Sequence, residues 1–308
     1  MARWVVVGGT GYIGEALCLR LQSDGQQVLS VSRALDGPVG CEHHTLELSL
    51  DSDFPQIFQA GDRVIYAAGL ASRAECERHP DLARWLNSDC PVELLRRADA
   101  AGVESFTYLS SVKAMCPPRG VLANEDVGAP ATDHYGRSKW QGEQQLLLAD
   151  SRCRLNIIRP ASVYGEGPGG AESAGRARRW QAVLGTIGRL APLLPASGRR
   201  SFICLHDLLE AICLLAQSTD CNRQVLIAAE PTFYDLAGIV SAISGAPARG
   251  SRRLTRWMLA PLRPLRQLGG VRKLLELEQS ELYSAARLRA LLPWRAQGRY
   301  SEFLRGAG

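Results

Sequence analysis

Short apolar runs rich in Val, Ile, Leu and aromatic residues recur through the first half of the chain: WVVVGG (4–9), QVLSVSR (27–33), DRVIYAAG (62–69), SFTYLSS (105–111) and RLNIIRP (154–160). Each closes on a turn signal and reads as a strand. Between them, GYIGEALCLRLQSDG and DCPVELLRRADAAGV place apolar residues at helical spacing. The alternation predicts repeated βαβ units, hence an α/β fold with a doubly wound parallel sheet covered by helices on both faces. After about residue 163 the texture changes. GEGPGGAESAG is a glycine-rich loop, and a helical stretch then ends in APLLPASGRR. RSFICLHDLLEAICLLAQ reads as a strand and a helix, QVLIAAE as one more strand, and the chain from 231 onward as mostly helices separated by Pro and Gly. The expected organisation is a sheet domain over 1–165 that returns at about 201–229. A smaller, mostly helical region would comprise 166–200 and 230–308.

The loop VVVGGTGYIGEAL sets Gly8, Gly11 and Gly14 between the first strand and the first helix. Glycine there permits unusual torsions and lets a diphosphate approach the helix N-terminus, where free N–H groups and the helix dipole favour an anion. In that context the pattern predicts a dinucleotide site and a Rossmann-type sheet. A strand that selects NAD normally ends in an acid. Here Ser32 and Arg33 stand at that place, with Asp36 three residues on. Arginine can accept a 2′-phosphate by a charge-assisted bond, so NADP is the expected cofactor and NAD the alternative.

Composition adds limits. A net charge of +5, with basic residues spread through periodic segments, gives no argument for nucleic acid. The nine cysteines form no C-x-x-C pair and no cysteine–histidine cluster at zinc spacing, so we expect no metal and mostly small buried thiols in a reducing cytoplasm. His43-His44 reads as a strand end. The apolar run at the N-terminus is too short for a signal peptide, and no stretch reaches the length of a membrane span. The segment 249–273 carries eight basic residues and no acid, with Trp257, Met258 and Leu259 beside them. A solvated face of the helical region accounts for it, and an anionic membrane surface is the alternative it would suit.

Lysine occurs only at 113, 139 and 273 among 36 basic residues. Lys139 lies one helical turn after Tyr135, so a helix over 133–149 would project both side chains from one face. A phenol is a poor acid–base group at neutral pH unless an ammonium and a nicotinamide ring lower its pKa. The compact ammonium can also donate to ribose hydroxyls, which a planar guanidinium serves poorly. Ser111 ends the strand SFTYLSS and would reach the crevice beyond the carboxyl ends of the strands.

These motifs resemble the extended short-chain dehydrogenase/reductases, and among them the NAD-dependent epimerase/dehydratase group that acts on nucleotide sugars. The matching stretches, in the family's order, are GGTGYIG, VIYAAG, YLSSVKAM, YGRSK, IIRPASVYGEGPG and RRSFICLHDLLEAI, and less specifically LLPWRAQGRYSEFL in the tail. The resemblance implies Tyr135 as acid–base, Lys139 as its modulator and ribose anchor, and Ser111 as the oxygen-binding partner. It implies cofactor contacts at Gly8, Gly11, Tyr12, Ile13 and Gly14 in the glycine loop and at Ser32 and Arg33. Further contacts are implied at Glu47 and Leu48 beside the adenine, at Ala67, Ala68 and Gly69, and at Pro160 and Val163 beside the nicotinamide. Asn87 would order its helix and the edge of the site, while Arg200, with Lys113 and Ser162, would meet the substrate. Ser162 stands where many family epimerases have asparagine, Arg33 replaces the NAD-selecting acid, and Lys113 follows the serine where small residues are common. The Asp-Glu pair of the dehydratases is absent from SSVKAM.

LSSVKAM with YGRSKWQGEQ is most similar to bacterial enzymes of surface-polysaccharide synthesis that reduce a 4-keto-6-deoxy nucleotide sugar. The leading expectation is therefore an NADPH-dependent reductase of that kind. Three alternatives stand beside it: a nucleotide-sugar 4-epimerase with tightly held NAD, a reductase of an apolar ketone, and a dinucleotide-sensing module without chemistry. Arg200 and the arginines at 176, 178 and 179 speak for a diphosphate over a lipid. The retained Tyr135, Lys139 and Ser111 speak for an enzyme over a sensor. Family members are often dimers through a contact that includes the Tyr–Lys helix, and WQGEQQLLL would serve it, so a homodimer is expected.

Overall fold

A computed structural model of the chain describes residues 2–49, 54–168, 183–190, 193–265 and 278–306. Its centre is a seven-stranded parallel sheet. The first five strands are β1 (Trp4–Val7), β2 (Val28–Ser32), β3 (Glu42–Thr45), β4 (Arg63–Tyr66) and β5 (Ser105–Leu109), and strands Arg154–Pro160 and Gln224–Ala228 complete it. From one edge the order runs Gln224–Ala228, Arg154–Pro160, β5, β4, β1, β2, β3. The chain winds outward from β1 through β2 to β3, then crosses back to β4 and winds the other way. Between β1 and β4 the direction of winding reverses, and a crevice opens there beyond the carboxyl ends of the strands.

The period-2 pattern of the strands divides the core into two layers. Trp4 and Val6 pack with Leu17 and Leu21 of helix Tyr12–Ser23 and with Leu208, Ile212 and Leu215 of helix Leu205–Gln217. Val5 and Val7 face the other way, onto Leu94, Leu95 and Ala98 of helix Cys90–Ala100 and Leu146 of helix His134–Leu148. The strand β3 has no apolar run to announce it. Its residues Glu42–Thr45 are polar because it is an edge strand, and His43 is held there by Ser30 Oγ at 3.1 Å and the Ala34 carbonyl at 2.9 Å.

Arg200–Cys204 forms a strand as expected but not in the main sheet. It lies in a small sheet between Ser162–Tyr164, parallel, and Phe233–Tyr234, antiparallel. Tyr164, Phe202, Tyr234, Tyr300 and Phe303 make one aromatic cluster on it, which anchors the C-terminal helix Tyr300–Gly306. The APLLP stretch is also a strand, Leu193–Pro195, paired with Arg249–Ser251. In helix Arg252–Leu259 the basic face and Trp257 are exposed while Thr255 and Leu259 are buried. Residues 266–273 of the basic segment, and the arginines at 176, 178 and 179, lie outside the described residues. None of the nine cysteines is in a disulfide. Among the described residues no helix is long and apolar enough to cross a membrane.

Candidate active site

The glycine loop closes as its sequence requires. Gly8 has φ +89°, and a Cβ there would lie 2.5 Å from the Ala68 nitrogen, so loop and β4 exit touch through backbone alone. A Cβ on Gly14 would meet the Gly8 carbonyl at 2.1 Å, which lets the helix pack directly on the turn. Gly11 caps helix Tyr12–Ser23 without a side-chain hydrogen bond. Its first-turn N–H groups thus face the crevice without a competing side chain, a suitable seat for a diphosphate. The residues present fit a dinucleotide.

Beside this loop lies a cleft of about 270 Å³ lined by residues from five stretches of chain, among them Ile13, Ala67, Ala68, Gly69, Ser111, Lys113, Tyr135, Lys139, Pro160, Ser162 and Val163. Tyr12 sits at its rim, its hydroxyl donating to the Gly165 carbonyl at 2.8 Å. At the far end of the loop, Ser32 Oγ accepts from Thr10 Oγ1 at 2.9 Å and from the Ala34 amide at 3.2 Å. Arg33 is exposed, with no hydrogen bond or ion pair among the described residues. Leu48 is buried, its carbonyl taken by Trp85 Nε1 at 2.8 Å, and Glu47 beside it is exposed.

Three features of one helix position Tyr135 and Lys139. Asp133 caps His134–Leu148 by accepting from the Gly136 amide at 3.1 Å, which puts Tyr135 in the first turn, at the positive end of the helix dipole. A Cβ on Gly136 would lie 2.2 Å from the Lys113 carbonyl, so this glycine lets the helix start rest on the turn after Ser111. Gly142 makes the same close approach, 2.2 Å, to the Asn87 carbonyl. Asn87 itself is buried in a π-turn, Trp85–Asp89, whose carbonyls at Leu86 and Asn87 are taken by the hydroxyls of Tyr66 and Tyr108. Its amide bonds the Leu70 carbonyl, the Leu70 amide and Ser138 Oγ, fixing the Gly69 loop to the helix. Asn87 therefore shapes the site from behind and does not line the cleft.

Burial pushes the Lys139 ammonium down to about 8, against the opposing pull of Glu143. It donates to the Leu109 carbonyl at 2.9 Å and lies 4.8 Å from the centre of the Tyr108 ring. Burial also pushes the Tyr135 phenol above its usual 10, although the Ser111 hydroxyl and the Arg73 charge pull it back in part. The lowering expected from the sequence depends on a nicotinamide ring as well as the ammonium, and the chain's own groups by themselves leave the phenol protonated at neutral pH.

Two sets of residues were not foreseen. Glu143, fully buried, continues the Tyr135–Lys139 stripe by one turn. It binds Arg159 through Nε at 2.8 Å and Nη2 at 2.6 Å, and Ser110 Oγ at 2.5 Å. The signal was present, since a lone arginine in the apolar strand IIRP needs a buried partner. Glu281 accepts an ion pair from Lys113 and another from Arg200, the latter at 2.6 Å. No local pattern marks it, because its partners are remote in sequence. Arg200 does not line the cleft but reaches Lys113 through this carboxylate.

Residues 4–228 match the sequence profile described as the NAD dependent epimerase/dehydratase family. Among curated proteins, a UDP-glucose 4-epimerase of Vibrio cholerae is 27% identical over 256 residues, covering 78% of this chain and 74% of that protein. A dTDP-4-dehydro-6-deoxy-D-allose reductase of Streptomyces bikiniensis is 27% identical over 268 residues, covering 80% and 82%. Of solved structures, MoeE5 in complex with UDP-glucose and NAD superposes with a TM-score of 0.70 at 17% identity, over 98% of this chain and 96% of that one. RMD from Pseudomonas aeruginosa complexed with NADPH gives 0.67 at 19% identity, over 98% and 97%. At such identities these two structures speak for the fold.

Proposed function

This chain belongs to the NAD-dependent epimerase/dehydratase family and is an NAD(P)-dependent enzyme of the extended short-chain dehydrogenase/reductase type, and from that premise we propose that it reduces a 4-keto-6-deoxy nucleotide sugar with NADPH. The step is of the kind that supplies sugars for surface polysaccharides, as its resemblance to such reductases implies. The observation that carries the proposal is the convergence of Ser111, Tyr135 and Lys139 in one cleft beside the glycine turn.

When bound, the reduced cofactor supplies the hydride. Tyr135 gives its proton to the sugar oxygen, and Ser111 holds that oxygen by hydrogen bond. Lys139 would donate to the nicotinamide ribose, and Gly8, Gly11 and Gly14 would leave room for the diphosphate. At neutral pH the phenol carries the proton that this step needs. In this reading Lys113 and Ser162, which line the cleft, would meet the sugar, and Arg200, which pairs with Glu281 beside Lys113, would meet the diphosphate.

The test is stoichiometry. Incubated with a 4-keto nucleotide sugar, the enzyme should consume one NADPH per product formed. Conversion with no net cofactor change would select the 4-epimerase, and binding of cofactor with no turnover would select a sensing module. Arg33 supports NADPH because it is exposed and open to a 2′-phosphate. In Arg33→Ala the KM for NADPH should rise about tenfold, the scale of one lost charge-assisted bond, with NADH little changed. Equal losses for both cofactors would remove the 2′-phosphate argument. The homodimer we propose uses helices Cys90–Ala100 and His134–Leu148, whose outer faces leave Val92 and Leu147 half-exposed and Leu148 open to solvent. A single 33.5 kDa species on sedimentation would rule it out.

A further inference from the structure

Glu281 sits between Lys113, which lines the cleft, and Arg200, and the family motifs do not mark it. Its backbone is locked to the strand that carries Arg200: the Glu281 amide donates to the Arg199 carbonyl at 2.8 Å, and the Ser201 amide donates to the Glu281 carbonyl at 3.1 Å. Gly198 makes this crossing possible, since a Cβ there would lie 2.0 Å from the Gln279 carbonyl. So fixed, one oxygen of the carboxylate, Oε2, accepts from both Arg200 and Lys113. Lys113 belongs to the turn that follows Ser111 and lines the catalytic cleft. All three side chains keep a quarter to a third of their surface exposed, so the cluster is open to an incoming anion. Burial raises the carboxyl's pKa, but the two cations outweigh it, and the group stays ionised.

We propose that Glu281 is a built-in competitor for the substrate's diphosphate, a specificity-determining residue that occupies Arg200 and Lys113 until a nucleotide diphosphate displaces it. The inference rests on the reading of Arg200 as a diphosphate ligand. An isolated phosphate or a carboxylate gains little at such a seat, because it replaces one resident charge with another. A diphosphate brings more negative charge and more acceptor oxygens than one carboxylate, and displaces it with net gain. The residue thus lowers affinity for diphosphate nucleotides as a class, products included, and favours their release.

The experiment titrates UDP, dTDP and inorganic pyrophosphate into the enzyme saturated with NADP⁺, so that the glycine loop is already filled. It compares wild type, Glu281→Gln and Arg200→Ala by calorimetry. Neutralising Glu281 should tighten all three by roughly fivefold, the equivalent of a partly exposed ion pair of about 1 kcal/mol. Arg200→Ala should weaken all three. If Arg200→Ala changes nothing, the diphosphate reading of Arg200 is wrong and this inference falls with it. If Arg200→Ala weakens binding while Glu281→Gln leaves it unchanged or weaker, the diphosphate reading stands and the competitor role is overturned. Glu281→Met, which also removes the charge, is the second variant should the glutamine protein fold poorly.

Discussion

Tyr135→Phe is expected to lose about a hundredfold or more in turnover while binding NADPH as well as the wild type does, the scale of a lost acid–base group. The phenol is the group that lines the cleft beside Ser111 and can give up a proton, and phenylalanine keeps its shape. Cofactor affinity should survive because, on the proposed reading, the glycine loop and Lys139 would hold the dinucleotide and the phenol would not. The loss should appear in kcat more than in KM, since the proton moves only as the carbonyl oxygen gains charge. Near-normal turnover would mean that another group delivers the proton. In the wild type, activity should also decline as pH rises past about 8, where the Lys139 ammonium gives up its proton and its charge.

Glu143→Ala is expected to cost about 3–5 kcal/mol of stability, because it leaves the Arg159 guanidinium buried without its counter-charge. Arg159 is 5% exposed, and besides Glu143 it donates to the Glu125 carbonyl at 3.1 Å. Ser110 loses its acceptor in the same change, next to Ser111, the proposed holder of the substrate oxygen. Urea unfolding followed by far-UV circular dichroism measures the effect. The double variant Glu143→Met with Arg159→Met should recover much of it, since removing both charges removes the unpaired one. A loss below about 1 kcal/mol in the single variant would show that solvent reaches the pair.

The sheet was legible because its strands are buried on both faces and therefore read as apolar runs, and the helices because one face of each is apolar. β3 escaped because an edge strand needs no apolar side chains, and Glu42–Thr45 carries its order in backbone pairing and in the two hydrogen bonds of His43. The small sheet around Arg200–Cys204 was legible as a strand but not as a separate sheet, since pairing partners some forty residues before it and thirty after leave no local trace. In the site, the residues that repeat at helical spacing or end strands were found: Ser111, Tyr135, Lys139 and the glycines. What spacing concealed was the support. Gly136 and Gly142 look like helix-weakening residues until their close contacts with the Lys113 and Asn87 carbonyls are seen. Glu281 is one acid in a stretch with several, and only the crossing at Gly198 gives it two cations. The phenol's pKa could not be read from spacing either, because it depends on how deeply the first helical turn is buried.

The account depends on hydride passing to a sugar carbon in the cleft where Tyr135 supplies the proton. The most direct measurement supplies the enzyme with NADPH deuterated on the transferring face, together with a 4-keto-6-deoxy nucleotide sugar, and weighs the product by mass spectrometry. The account predicts a product carrying one deuterium at C4 for every cofactor oxidised. A product without label, or cofactor that is never oxidised while the sugar changes configuration, would contradict it.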